Sequence, residues 1–209
     1  MHDGGESPGT NPFATRWVRP GAIEFQFSAD EKLTQVFDRL MANRGWGEIV
    51  GPHGSGKSCL LLTLAKEWEQ RGRDVVMIEL HDGQRRLPVP LGELACDGDT
   101  LVCIDGFEQL SWFQAWRLRR HVRKAGGGLL VTTHQSVGLP RIYETSSSVE
   151  MAQQLVESLT VEHRASIDPQ QVANAYADAQ GNLREMFFAL YDIVEANRRA
   201  SEPPRDESR

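Results

Sequence analysis

Residues 47–61 read GEIVGPHGSGKSCLL: a short apolar strand, a loop with glycine at positions 51, 54 and 56, and the start of a helix. The helix runs on through SCLLLTLAKEWEQ until Gly72 stops it. Upstream, SADE supplies Ser28 as N-cap with Glu31 at the third helical position. Leu33, Val36, Phe37 and Leu40 then recur at helical spacing, which predicts an amphipathic helix over about 29–43. Downstream, DVVMIEL (74–80), Leu101 to Ile104, LLVTTH (129–134) and Arg141 to Thr145 read as further strands, with an irregular stretch over 81–99. Between the second and third of these, Ser111 caps a helix whose Trp112, Ala115, Trp116 and Val122 form the expected buried stripe. Apolar strands that alternate with amphipathic helices define an α/β fold, a parallel sheet covered on both faces.

After residue 146 the strands stop. Three helices follow, capped by Ser147 with Glu150, by Asp168 with Pro169 in the first turn, and by Asn182 with Glu185. The chain therefore divides into a flexible N-terminal leader (1–24), an α/β core (25–148), a helical subdomain (149–198) and a polar tail (199–209). No apolar run approaches the ~20 residues needed to cross a bilayer, and the first residues carry neither a basic start nor an apolar segment, so the expected location is the cytoplasm, with no membrane contact. Cys59, Cys96 and Cys103 form no CxxC pair and fit buried thiols in a reducing compartment. A net charge of −6 excludes nonspecific attachment to nucleic acid over the whole surface.

GPHGSGKS fits G-x-x-x-x-G-K-[ST], in the strand–loop–helix context its mechanism demands. The backbone of Gly51, Pro52, His53, Gly54, Ser55, Gly56, Lys57, Ser58 and Cys59 spans the cradle, every residue but the proline offering an N–H group. Lys57 reaches the terminal phosphates and Ser58 binds Mg²⁺. Asp105, ending the strand LVCID about fifty residues later, is the second metal ligand. In LVCIDGFEQL the aspartate is followed by Gly106, so the carboxylate that would activate water is either Glu108, if the chain turns sharply at Gly106, or Glu79 at the end of the neighbouring strand.

With GPHGSGKS, LVCIDGFEQL, LLVTTH and GNLRE in place, residues 25–198 resemble the AAA+ and related STAND signalling ATPases of the P-loop NTPase superfamily. The resemblance implies a parallel five-stranded sheet in the order 5-1-4-3-2, a C-terminal three-helix lid, and ATP with Mg²⁺ as ligands. It implies that Thr133 and His134, at the end of strand four, stand between the two phosphate-binding elements as sensor residues, with a capped strand end as the plain reading of His134. It implies that Arg184, in GNLRE, reaches the γ-phosphate from the lid; a cation placed against the helix dipole itself suggests a nearby anion. It also implies that Arg141 serves a neighbouring subunit as an arginine finger in a homo-oligomer. The expected activity is ATP hydrolysis coupled to lid movement, acting on or through a partner protein. A nucleotide-dependent switch with little turnover and a small-molecule kinase are the alternatives.

WRLRRHVRK (116–124) places Arg117, Arg120, Arg123 and Lys124 near one helix face. The plain reading is a solvated face; nucleic acid or an acidic partner is the other.

Overall fold

A computed structural model describes residues 11–18, 21, 25–27, 31–162 and 166–201. The chain divides into two compact units, one drawn from Glu24–Ser146 and the other from the described parts of Met1–Ile23 and Ser147–Arg209.

The first unit is a five-stranded parallel sheet. In chain order it carries α2 (Leu33–Ala42), β1 (Trp46–Val50), α3 (Lys57–Gln70), β2 (Val75–Glu79), β3 (Leu101–Asp105), α4 (Trp112–Ala125), β4 (Gly128–Thr133) and β5 (Arg141–Glu144), preceded in the other unit by α1 (Thr15–Val18). The strands lie in the order β2-β3-β4-β1-β5, as the sequence led one to expect, and every pairing is parallel. Successive side chains point to opposite faces of a strand, and this sorts the core. Leu101, Cys103, Leu130, Ile49 and Ile142 pack with Phe37 and Leu40 of α2 and Leu60, Leu64 and Trp68 of α3. Val102, Ile104, Leu129 and Val131 pack on the other side with Leu118 and Val122 of α4. Helices thus cover both faces, which is why the central strands β3 and β4 can be apolar along nearly their whole length.

Glu48, in the middle of β1, is a buried carboxylate. It accepts hydrogen bonds from the amides of Val137 (2.9 Å) and Leu139 (3.2 Å) and from the Ser136 hydroxyl. A buried charge needs such partners, and the consequence here is a fixed loop between β4 and β5.

The second unit holds α5 (Val149–Glu162), α6 (Pro169–Asp178) and α7 (Leu183–Ser201). Residues 11–18 belong to it. Phe13 is 1% exposed and sits among Ala152, Leu155, Met186, Phe187 and Leu190. Asn11 donates to the Tyr191 carbonyl (3.0 Å) and to the Glu195 carboxylate (2.9 Å). The expectation of a flexible leader over 1–24 is corrected for this segment: one aromatic anchor and one capped amide dock it on α7.

Three smaller expectations also change. The first long helix starts at Leu33, where the Gln35 side chain accepts from the Lys32 amide; Ser28 lies outside the described residues. Ser148 rather than Ser147 caps α5, bonding the Met151 amide at 3.2 Å. The Ser147 hydroxyl instead donates to the Gly181 carbonyl and accepts from Tyr176, tying the residue before α5 to the α6–α7 turn within the helical unit. On α4 the buried stripe is Ala115, Leu118 and Val122, while Trp112 and Trp116 are exposed. Among the described residues no helix is long and apolar enough to cross a membrane.

Candidate functional site

The glycine loop leaves β1 and enters α3 through two left-handed residues, Gly54 (φ 69°) and Gly56 (φ 90°), the curvature the sequence pattern requires. The loop is braced from below. Ser55 is buried; its hydroxyl bonds the Pro52 carbonyl (2.8 Å) and meets the Thr145 hydroxyl just past β5 at 2.6 Å. Ser58 follows in the first turn of α3, half-buried, with Cys59 beside it. Pro52 and His53 are exposed on the loop crest.

Lys57 opens α3 and is buried. Its ammonium donates to the carbonyls of Gly51 (2.8 Å) and Pro52 (2.6 Å), both from the loop itself, and lies 3.3 Å from His134 Nδ1. Burial lowers its pKa from the usual lysine value, and the charges of Glu108 and then Asp105 oppose that shift. Both carboxylates therefore act on this one cation.

His134 is the hub of the arrangement. It stands one residue beyond β4, with Nε2 3.0 Å from Glu108 Oε1 and Nδ1 3.1 Å from the Gly51 carbonyl. Its ring lies 3.7 Å, centroid to centroid, from that of His53. His134 thus contacts Lys57 and the Gly51 carbonyl through Nδ1 and Glu108 through Nε2, the direction of each bond following the imidazole tautomer.

Glu108 reaches this position because of Gly106. Gly106 has φ +78° and caps the 3-10 turn Phe107–Gln109, which folds the chain back immediately after β3. A methyl group there would come to 2.8 Å from the Leu80 carbonyl oxygen. A glutamate directly after Asp105 therefore would not fit this backbone, and the first glutamate after Asp105 is Glu108.

Asp105 ends β3, where its Oδ1 accepts from the Thr132 hydroxyl, which in turn accepts from the Gly106 amide at 2.9 Å. Its other carboxylate oxygen has no hydrogen-bond partner among the described residues. Thr132, not Thr133, is thus the β4 residue that touches the acidic strand. The Thr133 hydroxyl turns to the Gln135 carbonyl (2.8 Å). Glu79 is the register partner of Asp105 on β2, but its side chain is mostly exposed and stands 3.9 Å from His81.

Arg184 lies in the first turn of α7 in the helical unit, exposed, with its guanidinium 5.9 Å from the Phe188 ring centre. Asn182 Oδ1 accepts from the Arg184 and Glu185 amides, an N-cap as the sequence indicates. Arg141 is exposed and pairs with Glu144 within β5 at 2.7 Å.

The sequence singled out Lys57, Glu108, Asp105 and His134, and the fold brings the first two together through the last. It passed over Thr132, Thr145 and Glu48. Two of these carried a readable signal: Thr132 and Glu48 are polar groups inside strands that are otherwise apolar, and such groups must find partners. No protein-family model matches the chain, and no curated protein is found similar to it.

Proposed function

We propose that the sheet unit binds ATP with Mg²⁺ on the Gly51–Ser58 loop and hydrolyses it. The observation that carries the reading is the Lys57–His134–Glu108 chain, which joins the loop, the end of β4 and the turn after β3 at one point. It supports a P-loop fold in which β4 lies between the loop strand β1 and the acidic strand β3.

Lys57 is a buried cation bonded to the loop's own carbonyls. Phosphate oxygens are stronger acceptors for an ammonium than carbonyls are, so Lys57 would exchange those partners for the terminal phosphates. Ser58 and the unengaged oxygen of Asp105 supply the hard oxygen donors that suit Mg²⁺. Mg²⁺ is usually held through only one or two protein carboxylates, so a site for it would need no dedicated cage. This is compatible with the finding that, among the described residues, no cluster of three or more His, Cys, Asp or Glu side chains could hold a metal alone. When bound, Mg²⁺ neutralises charge between the β- and γ-phosphates. Glu108 would orient the attacking water, with His134 setting the direction of its carboxylate. Arg141 would be the contact to a neighbouring subunit in an oligomer.

A second reading has its own support. Glu108 is already engaged by His134, and a carboxylate held this way serves a nucleotide-dependent switch that turns over slowly, signalling to a partner protein through the nucleotide it retains.

Phosphate release from purified protein, run beside binding of a fluorescent ATP analogue, decides between them. Hydrolysis requires that Lys57→Ala abolish binding and that Glu108→Gln retain binding while losing ~10²-fold or more in release, the scale of a lost general base. Binding without release in the unaltered protein selects the switch, and binding unchanged in Lys57→Ala overturns both.

A further inference from the structure

We infer that the exposed face of α4 is a binding platform for single-stranded nucleic acid. The first observation is charge segregation. Residues 109–143 contain six Arg and Lys and no Asp or Glu, in a chain whose net charge is −6. Five of those cations, Arg117, Arg119, Arg120, Arg123 and Lys124, are on α4, and among the described residues none of them forms an ion pair with a carboxylate.

The second observation is aromatic exposure. Trp112 is 80% exposed, Phe113 53% and Trp116 48%. At ~100° per residue, Phe113, Trp116, Arg117, Arg120 and Lys124 share the side of the helix opposite the buried Leu118 and Val122. Rings and guanidinium groups alternate along it. Arg117 lies over Phe113 (5.7 Å), Arg120 over Trp116 (5.7 Å), and the Phe113 and Trp116 rings stack at 6.2 Å with 22° between planes.

The third is the surrounding relief. On one side Trp112, Trp116 and Arg119 line a groove of about 670 Å³ that runs on to Glu108 and His134 of the candidate site. On the other, Arg117 and Gln114 join Arg86 along a groove of about 440 Å³. Arg119 also carries a buried Nε with no hydrogen-bond partner.

Exposed rings between unpaired cations match a ligand that carries phosphates and flat bases on the same strand. Bases stack on such rings, and Arg adds cation–π attraction. An acidic peptide would meet the guanidinium groups and leave the three rings without a counterpart. A duplex keeps its bases stacked inside and offers no faces to them.

Fluorescence anisotropy with labelled oligo(dT) and oligo(rU), read without nucleotide so that it is independent of any ATPase activity, tests the inference. Binding is expected at low salt, with Trp112→Ala and Trp116→Ala each weaker by about 5- to 150-fold, the equivalent of ~1–3 kcal/mol per stacked base. Trp116→Phe, which keeps a ring, should bind like the unaltered protein. Arg117→Gln with Arg120→Gln should flatten the log–log salt slope by ~1.4, about 0.7 for each phosphate no longer neutralised. The inference is overturned by no binding at low salt, by binding that both tryptophan substitutions leave intact, or by poly-glutamate binding as tightly as the oligonucleotides, which would assign the face to an acidic protein.

Discussion

Replacing Gly106 by alanine perturbs the turn on which the position of Glu108 depends, and two separable terms set its cost. A left-handed backbone costs an L-residue about 1–2 kcal/mol. The added methyl meets the Leu80 carbonyl oxygen at 2.8 Å, and that carbonyl belongs to backbone anchored by the Leu80 amide bond to the Asp105 carbonyl. Overpacking of this kind adds ~1–3 kcal/mol. Gly83 provides the control, because its φ of +86° is equally left-handed and nothing lies within 4 Å of a methyl placed there. Gly83→Ala should therefore cost only the first term. Both substitutions also restrict the unfolded chain, which offsets each by ~0.4–1 kcal/mol and cancels in the comparison. Trp46, Trp68, Trp112 and Trp116, four of the five tryptophans, lie in the sheet unit, so urea unfolding followed by tryptophan fluorescence reports mainly on it. With a slope of ~2 kcal/mol per molar urea, the midpoint should fall by ~1–2 M in Gly106→Ala and by less than ~1 M in Gly83→Ala. Equal losses in the two variants would refute the close approach of Gly106 to β2, and with it the account of why the glutamate sits at 108.

Two further outcomes follow from the same contacts. In Glu108→Gln the Lys57 pKa, already lowered by burial, should fall further, because the largest charge favouring the ammonium is gone; Asp105→Asn should lower it less. Side-chain NMR titration of Lys57 checks this, and a larger drop in Asp105→Asn contradicts it. Phe13→Ala should remove ~3–5 kcal/mol of packing from the helical unit. Hydrogen exchange should then speed up in peptides covering α7 and stay unchanged in peptides covering β1, β3 and β4; unchanged exchange in α7 would show that the N-terminal segment does not stabilise it.

The strand–loop–helix at 47–61 was legible because its periodicity, glycines and caps all lie within fifteen residues. So was the sharp turn after Asp105, since an Asp-Gly step before a helix cap leaves few alternatives. The docking of residues 11–18 was not. Its anchor is a single Phe13 whose partners lie on helices more than 130 residues away, and no local pattern records such a contact. The phase of β4 was missed by one residue. LLVTTH offers two consecutive threonines, and only the pairing of β4 with β3 decides that Thr132 faces Asp105. On α4 the expected stripe keeps Ala115 and Val122 and loses Trp112 and Trp116; Leu118, which the reading left out, packs instead with Val102, Ile104 and Leu129.

Because residues 11–18 and 147–201 build one unit and the sheet lies between them in sequence, the chain leaves the helical unit and returns to it. During synthesis the first piece of that unit emerges before the sheet, and its partner α7 after it. The sheet unit can complete its five strands while Phe13 still has nothing to pack against. Formation of the helical unit then follows that of the sheet. A ribosome-bound chain carrying a finished sheet would still present an unsatisfied aromatic anchor upstream of it, for a chaperone to shield until α7 arrives.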